Sequence, residues 1–175
     1  MAAAVYLNMP FDFKKLSILV VEDTAPMRKL ITSVLETLGV GKIHTAENGE
    51  RGFEVFRKEN PDIVIADWHM TPMSGIELTR EIRSNMMSPN RMVPIVLVTG
   101  YSALNRVSEA RDAGVTEFLV KPFSANDLAK RIAYVINKPR DYIDCKDYFG
   151  PDRRRRNTPD FRGPLRRKED TDDKS

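Results

Sequence analysis

The sequence predicts a doubly wound α/β fold, with helices covering both faces of a five-stranded parallel sheet. Short apolar runs alternate five times with amphipathic segments along the chain, and strict alternation of strand and helix favours a parallel sheet. The runs are apolar at nearly every position rather than at every second one. This pattern is typical of strands that are buried on both faces.

The apolar runs set the positions of the strands. They predict strands at residues 16–21, 41–46, 62–66, 94–99 and 117–120. Pro94 opens the fourth run, and a proline is tolerated at the first residue of a strand.

The intervening segments predict the helices. They lie at residues 25–38, 48–59, 74–84, 103–113 and 124–137. The first has apolar residues at spacings of three and four and is followed by Gly39, a residue that commonly ends a helix. Pro61 ends the second helix. Ser124 is the predicted N-cap of the fifth, with Asp127 three residues further on.

Composition narrows the class of protein. The chain has 175 residues, of which 41% are hydrophobic, enough for one domain with extensions. No apolar stretch approaches the roughly 20 residues that cross a bilayer, so no membrane insertion is expected. The single cysteine, Cys145, cannot form an internal disulfide, which favours a cytoplasmic location.

Acidic side chains follow two of the predicted strands. Glu22 and Asp23 come after the first strand, and Asp67 comes after the third. Because the carboxyl ends of parallel strands meet at one edge of the sheet, we expect these three carboxylates to lie together. Like charges in such a cluster repel one another unless a cation neutralises them. Carboxylate oxygens in this number favour Mg²⁺.

Two further polar residues end other strands of the predicted sheet. Thr99 ends the fourth strand, and Lys121 ends the fifth. Each residue has a simpler explanation when taken alone. Glu22 and Asp23 could cap the first helix, Lys121 could be a solvated charge, and Thr99 could be an ordinary strand residue.

Together, the acidic pair, the central Asp, the Thr and the Lys-Pro pair resemble the receiver domain of two-component response regulators. The resemblance covers residues 14–138 and is CheY-like in length. It implies a flavodoxin/CheY-like fold with strand order 2-1-3-4-5. It also implies a signalling domain rather than an enzyme, in which Asp67 is the phosphoacceptor for a sensor histidine kinase or phosphotransfer protein. Lys121 would pair with Asp67 or its phosphate, and the Thr99 hydroxyl would bond a phosphate oxygen.

The same resemblance implies a metal site and a conformational switch. Mg²⁺ would be held by Glu22, Asp23 and Asp67, and by the backbone carbonyl of His69. Phe118 occupies the aromatic switch position, where it would fill the space left when phosphate recruits Thr99. The bond between Lys121 and its proline is expected to be cis.

The ends of the chain are predicted to lie outside the folded domain. Residues 1–13 show no regular period and are read as a loose arm. Residues 139–175 are rich in Pro, Gly and Arg and poor in apolar residues, which predicts a flexible tail. No helix-turn-helix pattern follows the domain, so specific DNA binding is not expected.

The tail carries a concentrated positive charge. Residues 151–168 hold eight basic and two acidic side chains, for a net charge of +6. Guanidinium groups bond phosphate and the O6 and N7 atoms of guanine, and both they and aromatic rings stack on bases. The tail also resembles the arginine-rich extension of a CheY-like subfamily that binds cyclic di-GMP and acts at the flagellar motor. The residues assigned to nucleotide binding are Tyr148, Asp152, Arg153, Arg154, Arg155, Arg156, Asp160, Phe161, Arg162, Arg166 and Arg167.

These observations predict a stand-alone response regulator whose tail binds cyclic di-GMP. The flagellar motor switch is the expected partner, and recruitment from the cytoplasm to the flagellated pole is the expected consequence. The alternative is a phosphate shuttle or sink, with a basic tail that binds nucleic acid or acidic surfaces nonspecifically. A small phosphatase with Asp67 as nucleophile is a third reading, which the Thr and Lys-Pro spacing disfavours.

Overall fold

The computed structural model describes residues 12–100 and 105–153. Its main sheet has five parallel strands in the order β2-β1-β3-β4-β5, which confirms the predicted fold. The strands are β1 (Ser17–Val21), β2 (Lys42–Ala46), β3 (Ile63–Asp67), β4 (Ile95–Gly100) and β5 (Glu117–Lys121). The helices are α1 (Ala25–Thr37), α2 (Gly49–Glu59), α3 (Gly75–Ser84), α4 (Val107–Ala113) and α5 (Ala125–Asn137). None of the helices in these ranges is long and apolar enough to cross a membrane.

The central strands are buried on both faces, as the apolar runs predicted. Side chains alternate between two apolar clusters, since successive residues of a strand point to opposite faces. Leu19 belongs to the cluster that contains residues of α2, α3 and α4, whereas Ile18 belongs to the cluster that contains residues of α1 and α5. The two layers of helices therefore hold the sheet from both sides and leave its carboxyl edge open.

Local sequence signals fix the helix ends. Ser124 and Asp127 form a capping box at the start of α5, which confirms Ser124 as the N-cap. Gly39 follows α1 with φ +79°, a left-handed conformation that favours glycine. The helix α4 begins at Val107 rather than at residue 103, because residues 105–106 form a 3₁₀ turn ahead of it.

A β-hairpin follows α5, where the sequence predicted a flexible tail. Its strands are β6 (Tyr142–Cys145) and β7 (Tyr148–Pro151), which pair antiparallel. The prediction is wrong for these residues because the segment buries aromatic rings against the domain instead of relying on aliphatic side chains. Residues 154–175, the rest of the predicted tail, and 1–11 of the predicted arm lie outside the described residues.

The hairpin packs at the amino edge of the sheet, where β4 and β5 begin. The Tyr142 hydroxyl donates to the Val93 carbonyl at 3.4 Å, and the Arg83 guanidinium lies 5.3 Å from the centre of the Tyr142 ring. Arg140 lies between α5 and β6, and its guanidinium pairs with the buried Glu117 at 2.7 Å. The hairpin is thus held at the opposite edge of the sheet from the acidic cluster.

Candidate functional site

The carboxyl edge of the sheet brings the three predicted carboxylates together. Glu22 and Asp23 directly follow β1, and Asp67 is the last residue of β3. One carboxylate oxygen of each lies within 4.8 Å of the others. This convergence follows from the parallel pairing of β1 with β3, which places their ends side by side.

Lys121 supplies the positive charge at this cluster. Its ammonium group lies 2.8 Å from Asp67 Oδ1 and 3.5 Å from Glu22 Oε2. Burial acts to lower the pKa of Lys121, but the hydrogen bond and charge of Asp67, with the charge of Glu22, outweigh it and raise the pKa. Lys121 is therefore a fixed cation, not a solvated surface charge. Its bond to Pro122 is cis, as predicted.

Glu22 is almost fully buried beneath the site. Its carboxylate accepts hydrogen bonds from the backbone N–H and the hydroxyl of Thr24, at 3.1 and 2.8 Å. Burial raises the pKa of Glu22, and the charge of Asp67 adds to the effect, against the Thr24 bonds and Lys121. The N-cap of α1 is Thr24, so helix capping does not explain the acidic pair.

The remaining predicted residues surround this cluster. Thr99 is buried in β4, and its hydroxyl donates to the Gly100 carbonyl at 3.2 Å. Phe118 is partly buried and packs against the apolar cluster beneath the sheet. His69 is exposed, two residues after Asp67. The roles of Thr99 in phosphate binding, of Phe118 as a switch and of the His69 carbonyl as a ligand stay predictions.

Two residues near the site gave no signal in the sequence. Arg28 of α1 donates to the carbonyls of Glu22 and Asp23, at 2.6 and 3.5 Å, and so holds the backbone that carries the acidic pair. Arg106 lies over the Trp68 ring, 5.5 Å from its centre. A single arginine in an amphipathic helix is usually a solvated residue, and no spacing rule distinguishes these two.

The donor set fits a magnesium ion. Carboxylate oxygens are the hard ligands that Mg²⁺ prefers, and Mg²⁺ keeps water and phosphate oxygens in its other positions. Asp23 is exposed, so the cluster opens toward solvent on one side. A phosphoryl group arriving from that side would meet the cluster and the Lys121 ammonium together.

Three of the residues assigned to nucleotide binding fall in the hairpin and its exit. Tyr148 donates from its hydroxyl to the Pro151 carbonyl at 2.8 Å, and the Arg153 guanidinium lies 3.9 Å from the centre of its ring. Arg153 pairs with Asp112 of α4 at 2.9 Å, and Asp152 is buried. The structure therefore shows these side chains engaged with the protein itself. The other assigned residues, Arg154, Arg155, Arg156, Asp160, Phe161, Arg162, Arg166 and Arg167, lie outside the described residues.

The match to a known protein family covers the α/β domain and ends before the arginine-rich segment. Residues 18–133 match the family described as response regulator receiver domain. Chemotaxis protein CheY-3 of Vibrio cholerae serotype O1 is 30% identical over 125 residues, which cover 71% of this chain and 95% of that protein. Chemotaxis protein CheY of Pseudomonas aeruginosa is 31% identical over 123 residues, which cover 70% and 98%.

Solved structures share the fold over the same region. Chemotaxis protein CheY4 of Vibrio cholerae is 27% identical with a TM-score of 0.63, covering 69% of this chain and 98% of the other. The receiver domain of a sensor histidine kinase from Pseudomonas aeruginosa, solved with a magnesium ion coordinated in its active-site cleft, is 27% identical with a TM-score of 0.60. That match covers 68% of this chain and 94% of the other.

Proposed function

Because the chain belongs to the response regulator receiver family, we propose that it is a response regulator phosphorylated on Asp67 in the presence of Mg²⁺. The observation that carries this proposal is the contact of Lys121 with Asp67 at 2.8 Å, beside carboxylate oxygens that lie within 4.8 Å of one another. A buried carboxylate held by a fixed cation at the open edge of a parallel sheet suits the capture of a phosphoryl group.

The chemistry is transfer of a phosphoryl group from a phosphohistidine to a carboxylate. An Asp67 oxygen attacks phosphorus, the phosphorus–nitrogen bond breaks, and the imidazole of the donor leaves. Lys121 neutralises charge on the phosphoryl oxygens, and Thr99 donates its hydroxyl to one of them after transfer. Glu22, Asp23 and Asp67, with the His69 carbonyl, would hold Mg²⁺, which supplies further neutralisation of the phosphoryl oxygens.

Phosphorylation is tested on the full chain with a small phosphoramidate donor. The wild-type protein should gain one phosphoryl group by mass spectrometry when Mg²⁺ is present, and chelation should suppress the gain. Asp67→Asn should not be labelled, because its amide is not a nucleophile. Asp62→Asn is the matched control, since Asp62 directly precedes β3, at the opposite end of that strand from Asp67. Equal labelling of Asp67→Asn and wild type would refute the assignment.

We also propose that the arginine-rich segment binds cyclic di-GMP and directs the protein to the flagellar motor switch. The support is the net charge of +6 over residues 151–168 and the similarity of the domain to chemotaxis proteins. A cytoplasmic protein recruited to the flagellated pole would follow from this activity. The competing proposal is a phosphate shuttle, in which the segment binds polyanions without selectivity.

Calorimetry separates these two proposals. Full-length protein should bind cyclic di-GMP at micromolar concentration or below, bind cyclic di-AMP far more weakly, and keep its selectivity as salt is raised. Protein that lacks residues 154–175 should lose most of the affinity. Equal binding of both dinucleotides, with a steep loss in salt, would favour the shuttle with a nonspecific basic segment.

A further inference from the structure

An arginine outside the tail is stacked on the hairpin. Arg91 lies in the loop between α3 and β4, with its guanidinium 3.9 Å from the centre of the Phe149 ring. Its Nε donates to the Arg83 carbonyl at 2.5 Å, and Arg83 Nη1 donates to the Arg91 carbonyl at 2.7 Å. Stacking on the Phe149 ring and the two hydrogen bonds with Arg83 therefore fix the plane of the Arg91 guanidinium before any ligand binds.

The donor groups at the end of this side chain are not used by the described protein. Within residues 12–100 and 105–153, no acceptor bonds either amino group of Arg91. Arg83 beside it differs, because its guanidinium donates to the carbonyls of Gly114 and Val93. Arg153 differs as well, because it pairs with Asp112. Arg91 is thus held in place, partly exposed and open to an acceptor pair.

A carboxylate lies on the same face of the hairpin. Asp144 of β6 is directly opposite Phe149 of β7, and directly opposed residues of an antiparallel pair project to the same face. Asp144 is exposed, and no hydrogen bond or ion pair joins its carboxylate to another of the residues the structure describes. The hairpin therefore presents, on one face, a planar stacked donor and an acidic acceptor.

This combination matches the edges of a guanine base. Guanine offers two acceptors, O6 and N7, to a guanidinium fork, and it offers N–H donors on its Watson–Crick edge to a carboxylate. Adenine places an amino donor where guanine has O6, so it would oppose the Arg91 fork.

We propose that Arg91, Phe149 and Asp144 form a guanine-binding subsite on the hairpin. The proposal rests on the cyclic di-GMP binding proposed above and extends it to residues outside the arginine-rich segment. One base of the dinucleotide is recognised by this face of the hairpin.

The test is calorimetry of the full chain with cyclic di-GMP and cyclic di-AMP. Arg91→Ala should weaken cyclic di-GMP binding about tenfold, the scale of one lost bidentate contact to a base. Asp144→Asn should weaken it about fivefold and narrow the preference over cyclic di-AMP, because one of the two acceptor oxygens becomes an amino donor and the negative charge is lost. Arg57→Ala, an exposed arginine at the end of α2, is the control and should bind as wild type does.

The design separates failure of this inference from failure of the proposed function. If wild-type protein does not bind cyclic di-GMP, the proposed function is wrong. If wild type binds and Asp144→Asn keeps both affinity and selectivity, the subsite is wrong and nucleotide binding stands. Asp144 has no described partner, so its substitution leaves the fold intact. Amide chemical shifts of the hairpin check that Arg91→Ala keeps it docked, and Arg91→Lys, which keeps the charge and loses the fork, should bind as weakly as Arg91→Ala.

Discussion

Arg83 connects several elements by hydrogen bonds at the amino edge of the sheet. It is 2% exposed, and no acidic side chain pairs with it among the described residues. Its guanidinium donates instead to the carbonyls of Gly114, Arg91 and Val93. Burial lowers the pKa of Arg83, since the charged form is removed from water. The hydrogen bonds offset that penalty and join α3 to the starts of β4 and β5.

Replacing Arg83 with methionine should therefore destabilise the domain. The apolar side chain fills similar space but leaves several buried carbonyls without donors, at a cost of about 3 kcal/mol in the free energy of unfolding. Urea denaturation followed by circular dichroism measures the loss. Arg80→Met is the matched control on the same helix, and it should change stability by less than about 1 kcal/mol because the ion pair of Arg80 with Glu109 among the described residues lies at the surface.

The role of a single residue could be predicted where the residue ends a strand, but not where its role depends on partners that are distant in the sequence. Asp67 and Lys121 were predictable because each ends an apolar run, and the ends of parallel strands converge on one edge. Arg83 was not, because its role depends on carbonyls about 10 and 31 positions away in the chain. Arg91 was hidden for the same reason, since its ring partner lies in a segment that the sequence predicted to be flexible.

At the scale of elements, the hairpin is the largest departure from prediction. Its strands have four residues each and include Asp, Gly and Pro, which are depleted in strands. An isolated two-stranded hairpin is at best marginally stable in water. The hairpin is held by contacts with distant parts of the chain, above all Tyr142 with Arg83 and Arg140 with Glu117. Local sequence pattern does not indicate such long-range contacts, whereas the apolar runs in the sequence directly indicate the five strands of the sheet.

Two truncations should separate the hairpin from the segment beyond it. Removal of residues 154–175 should leave the free energy of unfolding unchanged within error. Removal of residues 139–175 should lower it by about 2 kcal/mol, because it exposes Arg83 and removes three partly buried aromatic rings. Urea unfolding of both truncated chains is the measurement. Equal stability of the two would mean that the hairpin adds nothing to the domain.

The hairpin should also loosen at alkaline pH. Burial raises the pKa of Tyr142, and of Tyr148, because the phenolate is disfavoured away from water. The neutral phenol is therefore favoured in the folded state. This stabilisation is complete below the ordinary pKa of about 10 and is lost as pH rises through the raised folded value. Near-ultraviolet circular dichroism across this range should show the loss, and Tyr142→Phe should reduce it. A profile identical to wild type would contradict the role of Tyr142.

For the whole molecule, the two proposed inputs lie at opposite edges of one sheet. The phosphoacceptor is at the carboxyl edge, and the hairpin is at the amino edge. The helix α4 runs between them: Arg106, just before it, contacts Trp68 beside the phosphoacceptor, and Asp112 near its end pairs with Arg153. The side chains of Arg153 and Asp112 are 33% and 45% exposed. Ion pairs of this kind contribute about 0–1 kcal/mol to stability.

Phosphorylation and nucleotide binding should therefore be nearly independent. A coupling of about 1 kcal/mol changes affinity by roughly fivefold. Cyclic di-GMP affinity measured on phosphorylated protein, on unphosphorylated protein and on Asp67→Asn should agree within that factor. Asp112→Asn should remove whatever difference is found. A difference of about a hundredfold would require a second connection between the edges.

The position of Arg153 decides where the arginine run begins. Arg153 is held beside Asp112 of α4, and it is the first of four consecutive arginines in the sequence. Ions screen charge over about 8 Å at physiological salt, so the positive charge that begins at Arg153 acts on anions near this corner of the domain. Anions should be drawn to that corner at a rate that falls as ionic strength rises, before any specific contact forms.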